Sequence, residues 1–172
     1  MTIHSEHPFA TPEGERDALR RFRARRVSPV TVWAAGDGQS RAGLTVSSIL
    51  VADGDPAHLL GLVDEDSTFA DALPRTELFT VSVLTARHQR VAEVFAGLEP
   101  SPGGMFRTGD WTATPWGPRL TDASAWVGCR LVWPEPPHAG WALLVDGTVE
   151  HVELADDDPA PLGRRRGRYL EL

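Results

Sequence analysis

The chain carries a single cysteine, Cys129, which excludes an intrachain disulfide framework and fits a reducing interior. Positive charge is in deficit. The 17 basic residues stand against 24 acidic ones, a net charge of −7 that lacks the basic footprint of a general nucleic-acid binder. No apolar run approaches the length of a membrane span, so no membrane partner is expected. The opening residues, Met1 to Glu6, lack the apolar stretch of a secretory signal, and the expected location is cytoplasmic. Chemical motifs are equally scarce. The six histidines are scattered, with His88, His138 and His151 each standing alone, and no metal site is expected. A nucleophile elbow, a Walker loop, a Cys-x-x-Cys pair and a Rossmann glycine fingerprint are all missing. Any chemistry here needs a cofactor to carry it, and any dinucleotide needs a site of another kind.

What is present suffices for one domain over residues 1–172, with 1–10 expected as a flexible arm; at 41% hydrophobic and 24% charged residues it is ordinary globular material. Thr11-Pro12-Glu13 reads as a helix start, and the helix runs to about Arg26 with Leu19 and Phe22 on its inner face. Its arginines read as a solvated face in preference to a phosphate patch. Short apolar runs punctuated by turns then predict an antiparallel meander: Val30–Ala34, Arg41–Val51, His58–Val63, Leu78–Leu84, Ala123–Trp133, Gly140–Val152 and Arg168–Leu172. A bulge or bend is expected at Asp146-Gly147. Ser67–Leu73, stopped by Pro74, and Ala86–Ala96, with Val91, Val94 and Phe95 as its buried stripe, are the expected later helices. Residues 98–118, rich in Pro and Gly, read as a long loop whose Phe106, Trp111 and Trp116 either cover a planar ligand or anchor the loop.

The centre of the chain is Arg41–Asp66. Its strand carries Ser47 and Ser48 in an otherwise apolar run, and alternation turns one of the two inward. Hydroxyls and backbone amides of this kind suit a phosphate or a flavin edge. The order Gly43-Leu44-Thr45-Val46-Ser47-Ser48, then Asp55-Pro56, Leu78–Leu84, Gln89 to Gly97, Gly117-Pro118 and Gly167-Arg168-Tyr169-Leu170, resembles the flavin reductase-like, FMN-binding split-barrel family.

That resemblance implies a mainly β fold with flanking helices, an antiparallel FMN-binding split β-barrel. It implies FMN, with FAD as the other possible flavin, held by Thr45, Val46, Ser47, Ser48, Asp64, Ser67 and Thr68. Ser82, Gln89, Arg90 and Tyr169 are secondary candidates. It also implies a homodimer, NAD(P)H as co-substrate and a partner monooxygenase that receives reduced flavin. The nicotinamide region falls at His138, Gly140, Trp141 and Ala142. There the sequence departs from the family's Gly-Asp-His: the glycine stays, while Trp141-Ala142 replace the Asp and His. Two readings follow, an NAD(P)H:flavin oxidoreductase, and a non-catalytic or differently driven FMN-binding protein that has lost its nicotinamide site.

Overall fold

β-Branched and aliphatic runs bounded by turn residues form strands, and the computed structural model, which describes residues 18–172, sets them in the following order. Helix α1 (Ala18–Arg25) leads to β1 (Ser28–Pro29), β2 (Thr31–Ala35), β3 (Ala42–Val46), β4 (Ile49–Ala52) and β5 (His58–Asp64). Then come α2 (Thr68–Thr76), β6 (Leu78–Val83), α3 (Gln89–Phe95), β7 (Trp111–Thr114), β8 (Gly117–Leu120) and β9 (Ala125–Leu131). The hairpin of β10 (His138–Ala139) and β11 (Ala142–Leu154) and the hairpin of β12 (Leu162–Arg165) and β13 (Arg168–Glu171) end the chain. The arm expected over 1–10 and the helix start at Thr11-Pro12-Glu13 lie outside the described residues.

The main sheet is antiparallel, in the order β3-β2-β6-β9-β11-β5-β4, with β10 on β11. Strands β3 and β4 are consecutive in sequence yet occupy opposite edges. Only a sheet curled upon itself allows that, so the fold is a split barrel with Ser47-Ser48 as the joint. The strand expected to run unbroken through Arg41–Val51 is interrupted there because the chain leaves β2 and takes β5 as its partner. The Leu62 amide then donates to the Ser48 carbonyl at 3.0 Å across the joint. Ser47 is half-buried and Ser48 exposed, so neither hydroxyl turns into the core.

Trp33 on β2 fills the barrel. It is fully buried, stacks on Phe79 (5.2 Å between centroids, 12° between planes) and meets Phe69 of α2 edge-on at 6.2 Å. Its indole N–H donates to Thr31 Oγ1 at 3.1 Å, and that hydroxyl donates to the Val46 carbonyl at 2.7 Å. Gly61 on β5 makes room for the ring, since a Cβ there would lie 2.6 Å from it. A second core lies outside the barrel, where Val91, Val94 and Phe95 of α3, the stripe expected from sequence, pack on Val30, Val32, Leu84 and Leu120.

Several local expectations change. Helix α1 buries none of its residues: Leu19 is 67% and Phe22 61% exposed, so the face their spacing creates is not packed into the core. Pro74 lies inside α2. It removes one donor but leaves later amides free to bond, and the helix ends at the left-handed Glu77 (φ 54°), whose amide reaches the Leu73 carbonyl. The long loop holds the β7–β8 hairpin, and Phe106 and Trp111 pack on Phe95 at 5.1 and 5.0 Å, so these aromatics anchor it. The register of β11 runs straight through Asp146-Gly147 and shifts instead between Val149 and His151. Gly147 is small because Phe79 lies against it.

Replacing Trp33 with alanine should lower the unfolding free energy by about 3–5 kcal/mol, the range for deleting a buried large aromatic. Urea denaturation measures this, and a loss below about 1 kcal/mol would remove Trp33 from the centre of the fold.

Candidate functional site

Three segments meet at the joint. Ser47 and Ser48 lie beside the C-terminal half of β5, since Ile49 pairs with Gly61. Among the described residues neither serine hydroxyl has a hydrogen-bond partner, although every backbone neighbour is in a defined strand. Asp64 ends β5 and its carboxylate accepts from the Asp66 amide at 3.1 Å. Ser67 caps α2: its hydroxyl donates to the Asp64 carbonyl at 2.6 Å and accepts from the Ala70 amide at 3.1 Å. Thr68 follows, exposed at the first turn of the helix. On the other side, the pairing of Ala142 with Asp64 sets the β10–β11 turn next to this segment. Gly140 takes φ 67° there, a conformation that favours glycine. Trp141 is 78% exposed, and His138 Nε2 lies 3.6 Å from the Glu65 carboxylate.

The remaining candidates are placed differently. Thr45 donates its hydroxyl to the Ala92 carbonyl of α3 at 2.7 Å, and Val46 is a core side chain. Ser82 is fully buried, and its hydroxyl accepts from the Leu120 amide at 3.1 Å, fixing β8 against the barrel. Thr45, Ser67 and Ser82 therefore spend their hydroxyls inside the chain, and Ser82 has no accessible surface for a ligand. Gln89 and Arg90 are exposed at the start of α3, and Arg90 faces Glu99 at 3.5 Å. Tyr169 is half-buried with the Arg164 guanidinium 5.5 Å from its ring centre, and its phenol oxygen is buried without a partner. Burial raises the Tyr169 pKa, with Arg164 opposing the shift.

Other polar groups escaped the sequence reading. His88, expected as a lone surface histidine, is buried; its Nδ1 accepts from the Thr85 amide at 3.1 Å. Its Nε2 lies 3.1 Å from Asp122 but off hydrogen-bond alignment. The signal was the Thr85-x-x-His88 spacing of a capping box, with histidine in the usual Glu or Gln position. Burial raises the Asp122 carboxyl, but the adjacent His88 ring and Arg87 guanidinium outweigh it and leave the pKa below the ordinary value. Arg87, His88, Arg90, Arg107 and Asp122 line a cavity of about 420 Å³ between α3 and residues 101–110, apart from the joint. His58 and Asp146 form a 2.7 Å pair on the outer face of the sheet. Burial pushes the Cys129 thiol up to about 12, which keeps it an unreactive core group. Among the described residues, no group of three or more His, Cys, Asp or Glu side chains could hold a metal, and no helix is long and apolar enough to cross a membrane.

A curled antiparallel sheet with helices on its flanks defines a split-barrel protein, with unpartnered serine hydroxyls at its joint among the described residues. The flavin reductase like domain family matches residues 23–172, and the chain belongs to that family. It is 33% identical over 121 residues to an FMN reductase (NADH) RutF of Bradyrhizobium diazoefficiens, covering 70% of this chain and 64% of that protein. It is 30% identical over 154 residues to the reductase component of a Thermus thermophilus 4-hydroxyphenylacetate 3-monooxygenase, covering 88% and 94% of the two chains. Among solved structures, BorF, the flavin reductase component of a bacterial two-component tryptophan halogenase, superposes with a TM-score of 0.77. The identity is 28%, and the match covers 90% of this chain and 96% of that one.

Proposed function

We propose that the protein is an NAD(P)H-dependent flavin reductase that binds FMN at the joint and supplies reduced flavin to a partner oxygenase. The observation that carries this reading is the set of unspent hydroxyls where the chain changes strand partners. Ser47, Ser48 and Thr68 offer donors with no competing partner among the described residues. They suit a ligand bearing a phosphate and a polyhydroxyl chain. The names of the relatives, one an FMN reductase and one a monooxygenase's reductase component, support the same class.

Bound flavin supplies the acceptor for a hydride from reduced nicotinamide. The chain's own part is to bind and orient. Ser47 and Ser48 hold one side of the ligand, and Thr68 with the first amides of α2 holds the other. Asp64 fixes the turn between them through the Asp66 amide. Thr45, Val46, Ser67 and Ser82 act indirectly, by fixing α3, the barrel wall, the cap of α2 and β8. The alternative, a flavoprotein without a nicotinamide site, is favoured by one observation: the turn beside Asp64 carries Trp141-Ala142, with neither an acid nor an imidazole.

The same reading includes a homodimer. Leu50 is 70% exposed and pairs with Leu60, and Leu62 lies two residues on along the same face. Together with Trp141 they leave apolar surface around the joint that a second copy would cover. Light scattering at micromolar protein should give twice the chain mass, and a monomer mass overturns the assembly.

Changing Ser47 and Ser48 together to alanine should weaken FMN binding by about 1–3 kcal/mol, the scale of lost hydrogen bonds to a charged group. Fluorescence quenching measures it, with FAD titrated in parallel, and unchanged affinity for both flavins rejects the assignment. Under anaerobic conditions NADH should bleach the bound flavin more slowly than dithionite does. The pair Trp141→Asp with Ala142→His should raise that rate. If neither form reacts with NADH or NADPH while dithionite reduces both, the reductase reading fails and the non-catalytic one stands.

A further inference from the structure

The chain contains no lysine: all 17 of its basic residues are arginines. Five of them, Arg20, Arg21, Arg23, Arg25 and Arg26, lie on α1 or directly after it. Four more, Arg164, Arg165, Arg166 and Arg168, belong to the β12–β13 hairpin. The Arg166 amide donates to the Ala24 carbonyl at 3.1 Å, and Ser28 of β1 pairs with Arg164, so the two groups form one corner of the molecule. With these nine charges set aside, the net charge of −7 becomes −16 for the rest of the chain. The protein is bipolar, with its positive charge gathered at one end.

Nothing in the fold calls for this gathering, and local rules are broken to produce it. Arg165 and Arg168 are directly opposed in the hairpin register, a like-charge pairing that costs stability. Arg166 takes a left-handed backbone, φ 52°, a region that side chains seldom adopt. Four of the seven described arginines elsewhere are neutralised at home, Arg87 by Asp122, Arg90 by Glu99, Arg119 by Glu153 and Arg130 by Glu150, while Arg41, Arg75 and Arg107 stand singly. At the corner, apart from Arg20 and Arg164, none of the nine makes an ion pair among the described residues. Amid these charges stand the exposed Leu19 and Phe22 of α1, with Val27 just after. An apolar centre ringed by arginine is the composition of a protein-binding surface.

We propose that the corner formed by α1 and the β12–β13 hairpin is a docking surface for an acidic protein partner. The planar fork of arginine matches carboxylate pairs, and the exposed Leu19 and Phe22 give such a partner something apolar to cover. An extended polyanion is disfavoured because the described residues outside the corner set 19 acidic side chains against seven arginines and repel whatever overhangs it. A lipid surface is disfavoured because the exposed Leu19 and Phe22 of α1 offer little apolar area to a bilayer. The proposal rests on charge placement alone and stands apart from the flavin assignment.

The test uses the full chain and a fluorescein-labelled glutamate-rich peptide with interspersed leucines, followed by anisotropy. Binding should weaken steeply with added salt. The triple change Arg25→Glu, Arg165→Glu and Arg168→Glu should cost about tenfold or more in affinity, whereas Arg75→Glu on α2 should cost nothing. Phe22→Ser should weaken the leucine-bearing peptide but not its leucine-free counterpart. Circular dichroism and urea denaturation, unchanged in all variants, would show that folding is intact. Equal binding by wild type and the triple variant overturns the proposal. So does tighter binding to duplex DNA of matched charge or to phosphatidylserine vesicles. Salt-sensitive self-association that the triple variant abolishes would also overturn it, by making a second copy the occupant.

Discussion

Contact between Trp33 and the backbone of Gly61 joins the two halves of the sheet. Trp33 belongs to β2, one place from the β3 edge, and Gly61 to β5, one place from the β4 edge. The ring thus bridges the interior between the ends of a sheet whose ladder never closes. Phe79 supports it from the centre and Phe69 brings α2 over the barrel mouth. Hydrogen bonds alone would leave the curl free to open, whereas a buried aromatic that touches both sides fixes its radius.

The location of the candidate site follows from this curl. Because β3 and β4 serve opposite edges, the two residues between them satisfy neither ladder fully, and their side chains remain uncommitted. The same stagger places the end of β5 and the start of β11 alongside, so the α2 turn and the β10–β11 turn border the joint. The uncommitted hydroxyls are thereby a by-product of closing a barrel with one continuous segment. Polar groups just outside the joint are used up in holding its walls, Thr45 on α3 and Ser67 on its own helix.

The sequence was legible where structure is set locally. The strand run of β6 and the Val91, Val94 and Phe95 stripe depend on neighbours within a few residues and lie where expected, and of the two cap candidates before α2, Asp66 and Ser67, the structure uses Ser67. The break at Ser47-Ser48 was hidden because both sides of it are equally apolar; only the change of partner marks it. Hydroxyls presented the same difficulty. Ser82 and Ser47 look alike in sequence, and the difference is made by Leu120, 38 residues from Ser82, which claims one of them. Leu19 and Phe22 show helical spacing yet stay exposed, and His88 stands alone in sequence yet is seated by Thr85 and Asp122. In each case the pattern stated what a residue could do, and distant chain decided whether it did.

The state of Cys129 has a practical side. Buried in the core, with its pKa pushed up by that burial, the Cys129 thiol offers little thiolate to maleimides or mixed disulfides. The native protein is therefore a ready background for site-specific labelling. A cysteine introduced at any exposed position becomes its one reactive thiol, and a dye or spin label placed on the hairpin or beside the joint would report from that position alone.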